Sequence, residues 1–477
     1  MSAIEILIGL LQSGRHAEAE AQAAAALRQQ PLQAQLWVLL GQALQSRGSG
    51  AAAAAAYERA WLLDPQATWV AEAQESLRPV PQGSRRPDIE ELLRCKPVTV
   101  TAGIIARDEE RSIRRCIESL LNAVDDIVLV DCESQDRTVE IAREYAKVRV
   151  VSAVWQNDFA ALRNAGLAAM NTDWVLWVDA DEHLHPADIA AVREAAGLFD
   201  ELKAPPVLYI WQVNEKQGAV HHEFSQTRMF PLNRNLRYYG RVHEQVIALG
   251  KGMFASEAYR QPVRIRLLHD GYEPEMMQRK GKIRRNLDLL RMMVEEEPDN
   301  PGWWLYYARE SLADGAKDEA LRGLHEAEKH AGRQPHFARR LDVYMLQAKL
   351  YTEREELDAA ERACRKALEL EPHYPDAQYY LALLQMKRAR QLHREAEKLL
   401  RGAKKGFEQY RGTVSPDHEI RRWRADASLA EVAKAAGKFG DAHRIFTHLA
   451  ETYPDVKPKL EKPLERIREQ LVKIEDK

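Results

Sequence analysis

The segment Trp174-Val-Leu-Trp-Val-Asp179-Ala180-Asp181-Glu182-His183 passes directly from apolar residues into three acids. A buried strand ending this way carries carboxylates to the carboxyl edge of an open α/β sheet, where such sheets bind ligands. Hard oxygen donors in Asp-x-Asp spacing suit Mg²⁺ or Mn²⁺ held against a diphosphate, and such an ion stabilises a departing phosphate. A solvated acidic loop is the plainer alternative. Further on, Tyr238-Tyr-Gly240-Arg241-Val-His243-Glu244 sets a histidine beside a glutamate after a glycine turn, offering a proton acceptor and a second anchor. Leu267-Leu-His269-Asp270-Gly-Tyr follows the alternating basic run Val263-Arg-Ile-Arg-Leu. His269 is there a third protein ligand for the metal, better suited to Mn²⁺ than to Mg²⁺, or else a capping or packed histidine.

These residues need a scaffold, and the pattern around them changes twice. Trp37, Leu40, Gly41, Leu44, Ala53, Tyr57, Ala60 and Pro65 follow the tetratricopeptide spacing. Small residues at these positions let two antiparallel helices approach closely, and the proline ends the second of them. Stepping back one repeat of about 34 residues from Pro65 reaches Pro31, so two repeats are expected within 1–75. A linker is expected over 76–96. The repeat grammar returns over 281–477, with Trp304, Tyr307, Ala308, Ala320, Leu324 and Ala327 in one unit and Tyr344, Ala348, Tyr351, Ala360, Cys364, Ala367 and Pro372 in the next. Leu381, Ala382, Ala396, Leu400 and Ala403 read as a third helical pair with a small insertion. Ala430, Ala442, Phe446, Leu449 and Pro454 form a fourth unit, and 459–472 reads as a polar-faced capping helix.

Between the repeats, over 97–280, the period changes. Strand-length runs at 98–105, 126–131, 148–154 and 174–178 alternate with helical stretches, the pattern of parallel β-α-β units. After about Pro205 strands dominate. A parallel nucleotide-binding half followed by a mixed half resembles the outline of a GT-A glycosyltransferase.

The motifs sharpen that resemblance. Ile104-Ile-Ala-Arg-Asp108-Glu109-Glu, Val130-Asp131-Cys-Glu133-Ser-Gln-Asp-Arg-Thr138, Asp158-Phe-Ala-Ala-Leu-Arg163-Asn164 and Asp179-Ala180-Asp181-Glu182 are similar, in order, to the motifs of family 2 glycosyltransferases. Asp108 stands where that family usually has Asn, and Cys132-Glu133 replaces a common small pair, which leaves the base of the nucleotide open. The resemblance implies an α/β GT-A domain flanked by all-α tetratricopeptide repeats. It implies an inverting, metal-dependent nucleotide-sugar glycosyltransferase (EC 2.4 class) using Mn²⁺ or Mg²⁺, with a UDP-sugar as the expected donor. Nucleotide contacts are carried over to Asp108, Glu109, Asp131, Glu133, Arg163, Asn164, Asp179, Ala180 and Asp181. Metal contacts are carried over to Asp181 and Asp179, with His269 added. Helix capping, turn formation and a solvated arginine are the plainer readings of these positions. The Gly-Arg-Val-His-Glu element resembles one found in glycosyltransferases that carry tetratricopeptide repeats, including S-glycosyltransferases of sublancin-type bacteriocins. It implies Glu244 as the base that accepts the acceptor's proton, beside His243, with a structural ion pair to Arg241 as the alternative.

Composition bounds the rest. The 477 residues carry 69 Lys plus Arg against 72 Asp plus Glu, a formal charge of −3, which gives no global case for nucleic-acid binding. Four cysteines without C-x-x-C spacing speak against a disulfide framework and fit a reducing, cytoplasmic setting, and the sublancin-type resemblance implies a bacterial one. No run reaches the ~18 apolar residues of a membrane span, and the N-terminus lacks the basic lead of a signal peptide. The expected partners are a nucleotide sugar and a peptide or protein acceptor held by the repeats, or a homodimer built through them. The alternative is transfer to a lipid-linked or cell-surface saccharide, with the repeats serving only dimerisation.

Overall fold

The computed structural model describes residues 2–216, 219–249, 258–270, 275–334, 337–412 and 414–475. These fall into two compact units, 1–337 and 338–477.

The first unit opens with helices Ala3–Gln12, His16–Gln29, Ala34–Ser46 and Gly50–Leu63. Ala19, Ala23, Ala53 and Ala60 are fully buried, as close helix approach requires. Gly41 shows how close: a Cβ there would lie 2.5 Å from the Tyr57 ring. One lock recurs along the chain. Trp37 Nε1 donates to the Pro31 carbonyl at 2.8 Å, and Trp304 Nε1 to the Pro298 carbonyl at 2.7 Å. Gln378 Nε2 does the same to the Pro372 carbonyl at 3.0 Å. Each donor stands six residues after its proline and ties the end of one helical pair to the start of the next. The stretch read as a linker contains the helix Pro87–Leu93, whose Ile89 is buried in the repeat core.

The α/β domain contains β1 (Val100–Ala106), β2 (Asp126–Asp131), β3 (Val148–Ser152), β4 (Trp174–Asp179), β5 (Glu182–Leu184), β6 (Pro206–Lys216), β7 (Ala219–Pro231), β8 (Leu236–Tyr239), β9 (Gln245–Ala248) and β10 (Tyr259–Asp270). Among the described residues, eight strands form one sheet in the order β3-β2-β1-β4-β7-β6-β10-β5, and β8 pairs with β9. β3, β2, β1 and β4 run parallel. β7 is antiparallel to both β4 and β6. The parallel half with a mixed continuation is thus present, and β6 and β7 are longer than their apolar runs suggest. Their outer ends are polar, and only the inner residues of β7 are buried.

The N-terminal repeats share one apolar core with this sheet. Trp61 lies beneath two arginines of β10, Arg264 at 4.2 Å and Arg266 at 5.2 Å from its ring. Asp188, fully buried, grips Arg266 through both carboxylate oxygens at 2.7 and 2.8 Å. Helices Glu275–Glu296, Pro301–Ala313 and Lys317–Ala331 complete this unit.

The second unit holds Arg340–Glu353, Leu357–Leu370, Pro375–Gln409, Ala425–Ala435, Phe439–Thr452 and Lys457–Glu475. The expected third helical pair is instead one helix of 35 residues, Pro375–Gln409. Between Pro375 and Gly402 no proline or glycine interrupts a run of good helix formers, so nothing forces a turn.

Candidate active site

The loops leaving β1 and β2 are sewn together. Gln135 N donates to Asp108 Oδ1 at 2.7 Å, Glu109 N to Thr138 Oγ1 at 2.7 Å and Glu110 N to Asp136 Oδ2 at 2.9 Å. Ser134 N donates to Asp131 Oδ1 at 3.3 Å. Asp108 and Glu133 both adopt the left-handed conformation, with φ of 57° and 59°. Non-glycine residues there carry strain that surrounding contacts must hold, and such positions gather at functional sites. The parallel register sets Ala106 beside Asp131 and Ile105 beside Asp179, which brings the three strand ends together.

At the end of β4 the acids divide by environment. Arg228, buried on β7, donates from Nη1 to Asp179 Oδ1 at 2.6 Å and from Nη2 to Asp179 Oδ2. Arg163 Nη2 reaches the same carboxylate at 3.3 Å. Burial works against ionisation of Asp179, and the two guanidiniums overcome it, holding the carboxyl well below the usual range. Glu182 is 1% exposed and caps this group: its Oε2 accepts from Asp179 N at 2.9 Å. Burial pushes the Glu182 carboxyl up against the pull of Arg228, and neighbouring Asp179 adds to the rise.

Asp181 is different. It is half-buried, and its Oδ2 lies 3.2 Å from Nε2 of His269. The topology makes that meeting: His269 of β10 is registered with Glu182 of β5 and with Asn214 of β6. His269 Nδ1 lies 3.0 Å from Asn214 Oδ1. When Nδ1–H donates to Asn214, the lone pair of Nε2 faces a carboxylate oxygen, and a proton or a divalent cation between them satisfies both. Among the described residues, no group of three or more His, Cys, Asp or Glu forms a metal cage of its own. One carboxylate and one imidazole, completed by substrate phosphates, suit Mn²⁺ better than Mg²⁺. Asp179 departs from its expected metal role, because both its oxygens are engaged by arginines.

Glu109 is half-buried, and burial raises its pKa, against a hydrogen bond from Ser112. Asp181 adds to that rise and Lys282 opposes it, so Glu109, Asp181 and Lys282 share one electrostatic neighbourhood. Ala180 is buried and Glu133 exposed. Gly271 and Tyr272 lie outside the described residues.

Arg163 and Asn164, both on helix Phe159–Ala168, have structural duties. The Arg163 guanidinium is buried between the Trp177 and Tyr238 rings, 5.0 and 5.1 Å from their centres, and its Nε donates to Glu244 Oε1 at 2.7 Å. Glu244 is therefore paired with Arg163, whereas Arg241 pairs with Glu296. Asn164 clamps the backbone of Tyr238, donating to its carbonyl at 2.9 Å and accepting from its N–H at 3.0 Å. Its amide is turned to the fold, contrary to the expected nucleotide contact. Gly240 (φ 102°) completes the turn: a Cβ there would meet the Trp303 ring at 2.6 Å.

His243 also has positive φ, 52°, and stacks on Tyr306 at 4.6 Å with 10° between the planes. Its Nε2 lies 3.0 Å from Glu310 Oε1. Both partners come from the repeat helix Pro301–Ala313. Burial opposes the charge on Glu310, yet hydrogen bonds from His243 and Asn286 hold its pKa below the ordinary value. Arg228, Tyr306 and Glu310 escaped sequence reasoning. Only Arg228 left a trace, a charge inside the strand run Thr227-Arg-Met-Phe-Pro.

Residues 101–246 match the family model "Glycosyl transferase family 2". Among curated proteins, the chain is 28% identical over 225 residues to the SPbeta prophage-derived glycosyltransferase SunS of Bacillus subtilis, covering 47% of this chain and 51% of that protein. It is 30% identical over 209 residues to the TPR repeat-containing protein Synpcc7942_0270 of Synechococcus elongatus, covering 42% and 49%. The chain spans about half the length of the curated relatives it matches. Among solved structures, S. aureus TarS 1–349 in complex with UDP-GlcNAc is 12% identical, with 58% of this chain and 93% of that one covered. Its TM-score of 0.34 is too low to bear on this site. No helix among the described residues is long and apolar enough to cross a membrane. The chain thus joins a GT-A-type α/β domain, similar in sequence to family 2 glycosyltransferases and to SunS, to flanking tetratricopeptide repeats.

Proposed function

We propose that this chain is an inverting glycosyltransferase that moves a sugar from a nucleotide-diphosphate donor to a peptide or protein acceptor presented by its repeats. The observation that carries this reading is Asp181 facing His269 at the acidic end of β4, within a segment matching the family 2 model. The sewn β1 and β2 loops, with Asp108, Glu109, Asp131 and Glu133, supply a rigid rim for the nucleoside. Asp181 and His269 would hold Mn²⁺ or Mg²⁺. Such an ion, when bound, neutralises the charge of a leaving diphosphate. Asp179, Arg228, Arg163 and Glu182 keep the strand end in one geometry. The peptide acceptor is favoured because a repeat helix, Pro301–Ala313, touches the His243 loop directly. Four unpaired cysteines support a reducing, cytoplasmic setting. A thermal-shift panel of UDP-, GDP- and ADP-sugars with and without Mn²⁺ tests the donor class. A ligand at ~100 Kd should stabilise by ~2.7 kcal/mol. Absence of any metal-dependent shift would refute the reading.

A further inference from the structure

The geometry points to His243, oriented by Glu310 from the repeat helix, as the base that accepts the acceptor's proton, in place of Glu244. This rests on the glycosyl-transfer reading and names the proton acceptor within it.

Glu244 is committed. Its carboxylate is mostly buried against Arg163, whose own Nη1 is buried without a hydrogen-bond partner among the described residues. Protonating Glu244 would weaken the compensation of that buried cation, which makes it a poor place to put a proton. His243 is the next residue and is built differently. A third of its side chain is exposed, so the ring is reachable. Glu310 takes Nε2–H, which leaves the lone pair on Nδ1, and the Tyr306 ring fixes the plane of the imidazole. A carboxylate behind an imidazole sets the tautomer and stabilises the imidazolium that proton uptake creates. The backbone at φ 52° is held by Gln245 Nε2, which donates to the His243 carbonyl at 2.9 Å. Glu244, the residue after His243, is joined through Arg163 to Asp179 at the end of β4.

In the step, a hydroxyl or thiol of the acceptor attacks the anomeric carbon of the sugar. The new bond from the acceptor atom to that carbon forms as the bond from the carbon to the diphosphate oxygen breaks. The bonding pair leaves with the nucleoside diphosphate, and the acceptor's proton goes to His243 Nδ1.

The charged and titratable groups around this ring come from three helices and from the loop that carries His243. Glu310 and Tyr306 belong to helix Pro301–Ala313, with Arg309 acting on Glu310. Helix Glu275–Glu296 brings Arg285, influenced by both Glu310 and Glu244, and Asn286, which donates to Glu310 at 3.2 Å. Glu244 with its partner Arg163, and Arg241 with Glu296, complete the set.

The test uses the full chain with Mn²⁺ and two probes, UDP-glucose and UDP-N-acetylglucosamine, with water as acceptor. His243→Asn should lower donor cleavage by ~10²–10⁴ while UDP affinity by calorimetry stays within a few-fold. Glu310→Gln should move the acidic limb of the rate profile to lower pH, because the imidazolium loses its counter-charge, and should lower the plateau. NMR titration of the His243 ring should show the same downward shift in Glu310→Gln, a readout that survives if His243→Asn folds poorly. Cleavage within a few-fold of wild type in folded His243→Asn would overturn the inference while leaving glycosyl transfer standing. An unmoved ring titration in Glu310→Gln would overturn it equally. A wild-type chain that binds none of UDP, GDP and ADP and cleaves none of their sugars would overturn the glycosyl-transfer reading and the base with it.

Discussion

Arg228 places its two terminal nitrogens on the two carboxylate oxygens of Asp179, and so joins β7 to the last residue of β4. The two strands are antiparallel neighbours, registered a few residues earlier at Leu176 and Met229. Glu182 lies 3.9 Å from the same guanidinium, so one buried cation answers two acids.

Replacing that cation should be costly. Arg228→Met leaves buried Glu182 without its guanidinium and Asp179 with only the longer contact from Arg163, and breaking such a pair costs about 3 kcal/mol or more. Urea unfolding should show a loss of that order. A loss under about 1 kcal/mol would mean that water already screens the group.

Asp181 should behave in the opposite way. Its carboxylate is half-exposed at a strand end, so Asp181→Ala should change stability by less than about 1 kcal/mol. Calorimetry with UDP and Mn²⁺ should nevertheless show the metal-dependent part of nucleotide binding disappear. Unchanged affinity would remove Asp181 and His269 from the metal site.

Asn164→Ala removes both clamps on Tyr238 and leaves a peptide N–H and C=O without partners, a penalty of about 1–3 kcal/mol. Thermal unfolding should register it, while UDP affinity changes no more than a few-fold. A large loss of affinity in a chain of native stability would restore Asn164 as a nucleotide contact.

Glu310 gives a pH dependence with a definite sign. Its pKa is lowered in the fold, so its contribution to stability is present above the unfolded glutamate value of about 4.3 and lost as pH falls through the lower folded value. The stability gap between wild type and Glu310→Gln should therefore close on acidification below about pH 4. Chemical unfolding across pH 3–7 measures it, and a gap that persists undiminished at pH 3 would contradict the assignment.

The sequence was readable wherever a residue's role depends on near neighbours in the chain. Ala53, Tyr57 and Ala60 mark a helix face, and Trp174 to Val178 mark a buried strand, by local spacing alone. It was unreadable where the sheet order decides. Nothing local says that β7 lies between β4 and β6, so Arg228 could not be matched to Asp179. Glu310 stands 67 residues beyond His243, on a helix whose spacing announces only a repeat. Asn164 illustrates the converse error. Its motif suggests a ligand contact, while its amide has the shape of a peptide group and is used as one. The 35-residue helix was misread because small residues at repeat spacing also occur along any long helix of good formers.

The packing of Trp61 under Arg264 and Arg266 has a consequence for synthesis. The tryptophan leaves the ribosome about 200 residues before the strand that covers it, which at ~5–20 residues per second is a wait of about 10–40 s. For that interval the N-terminal helices present an aromatic and apolar face that β10 does not yet cover. Nascent chains arrested before β10 should therefore bind a holdase more readily than chains arrested after it, and a slow codon cluster before β10 would lengthen their exposure.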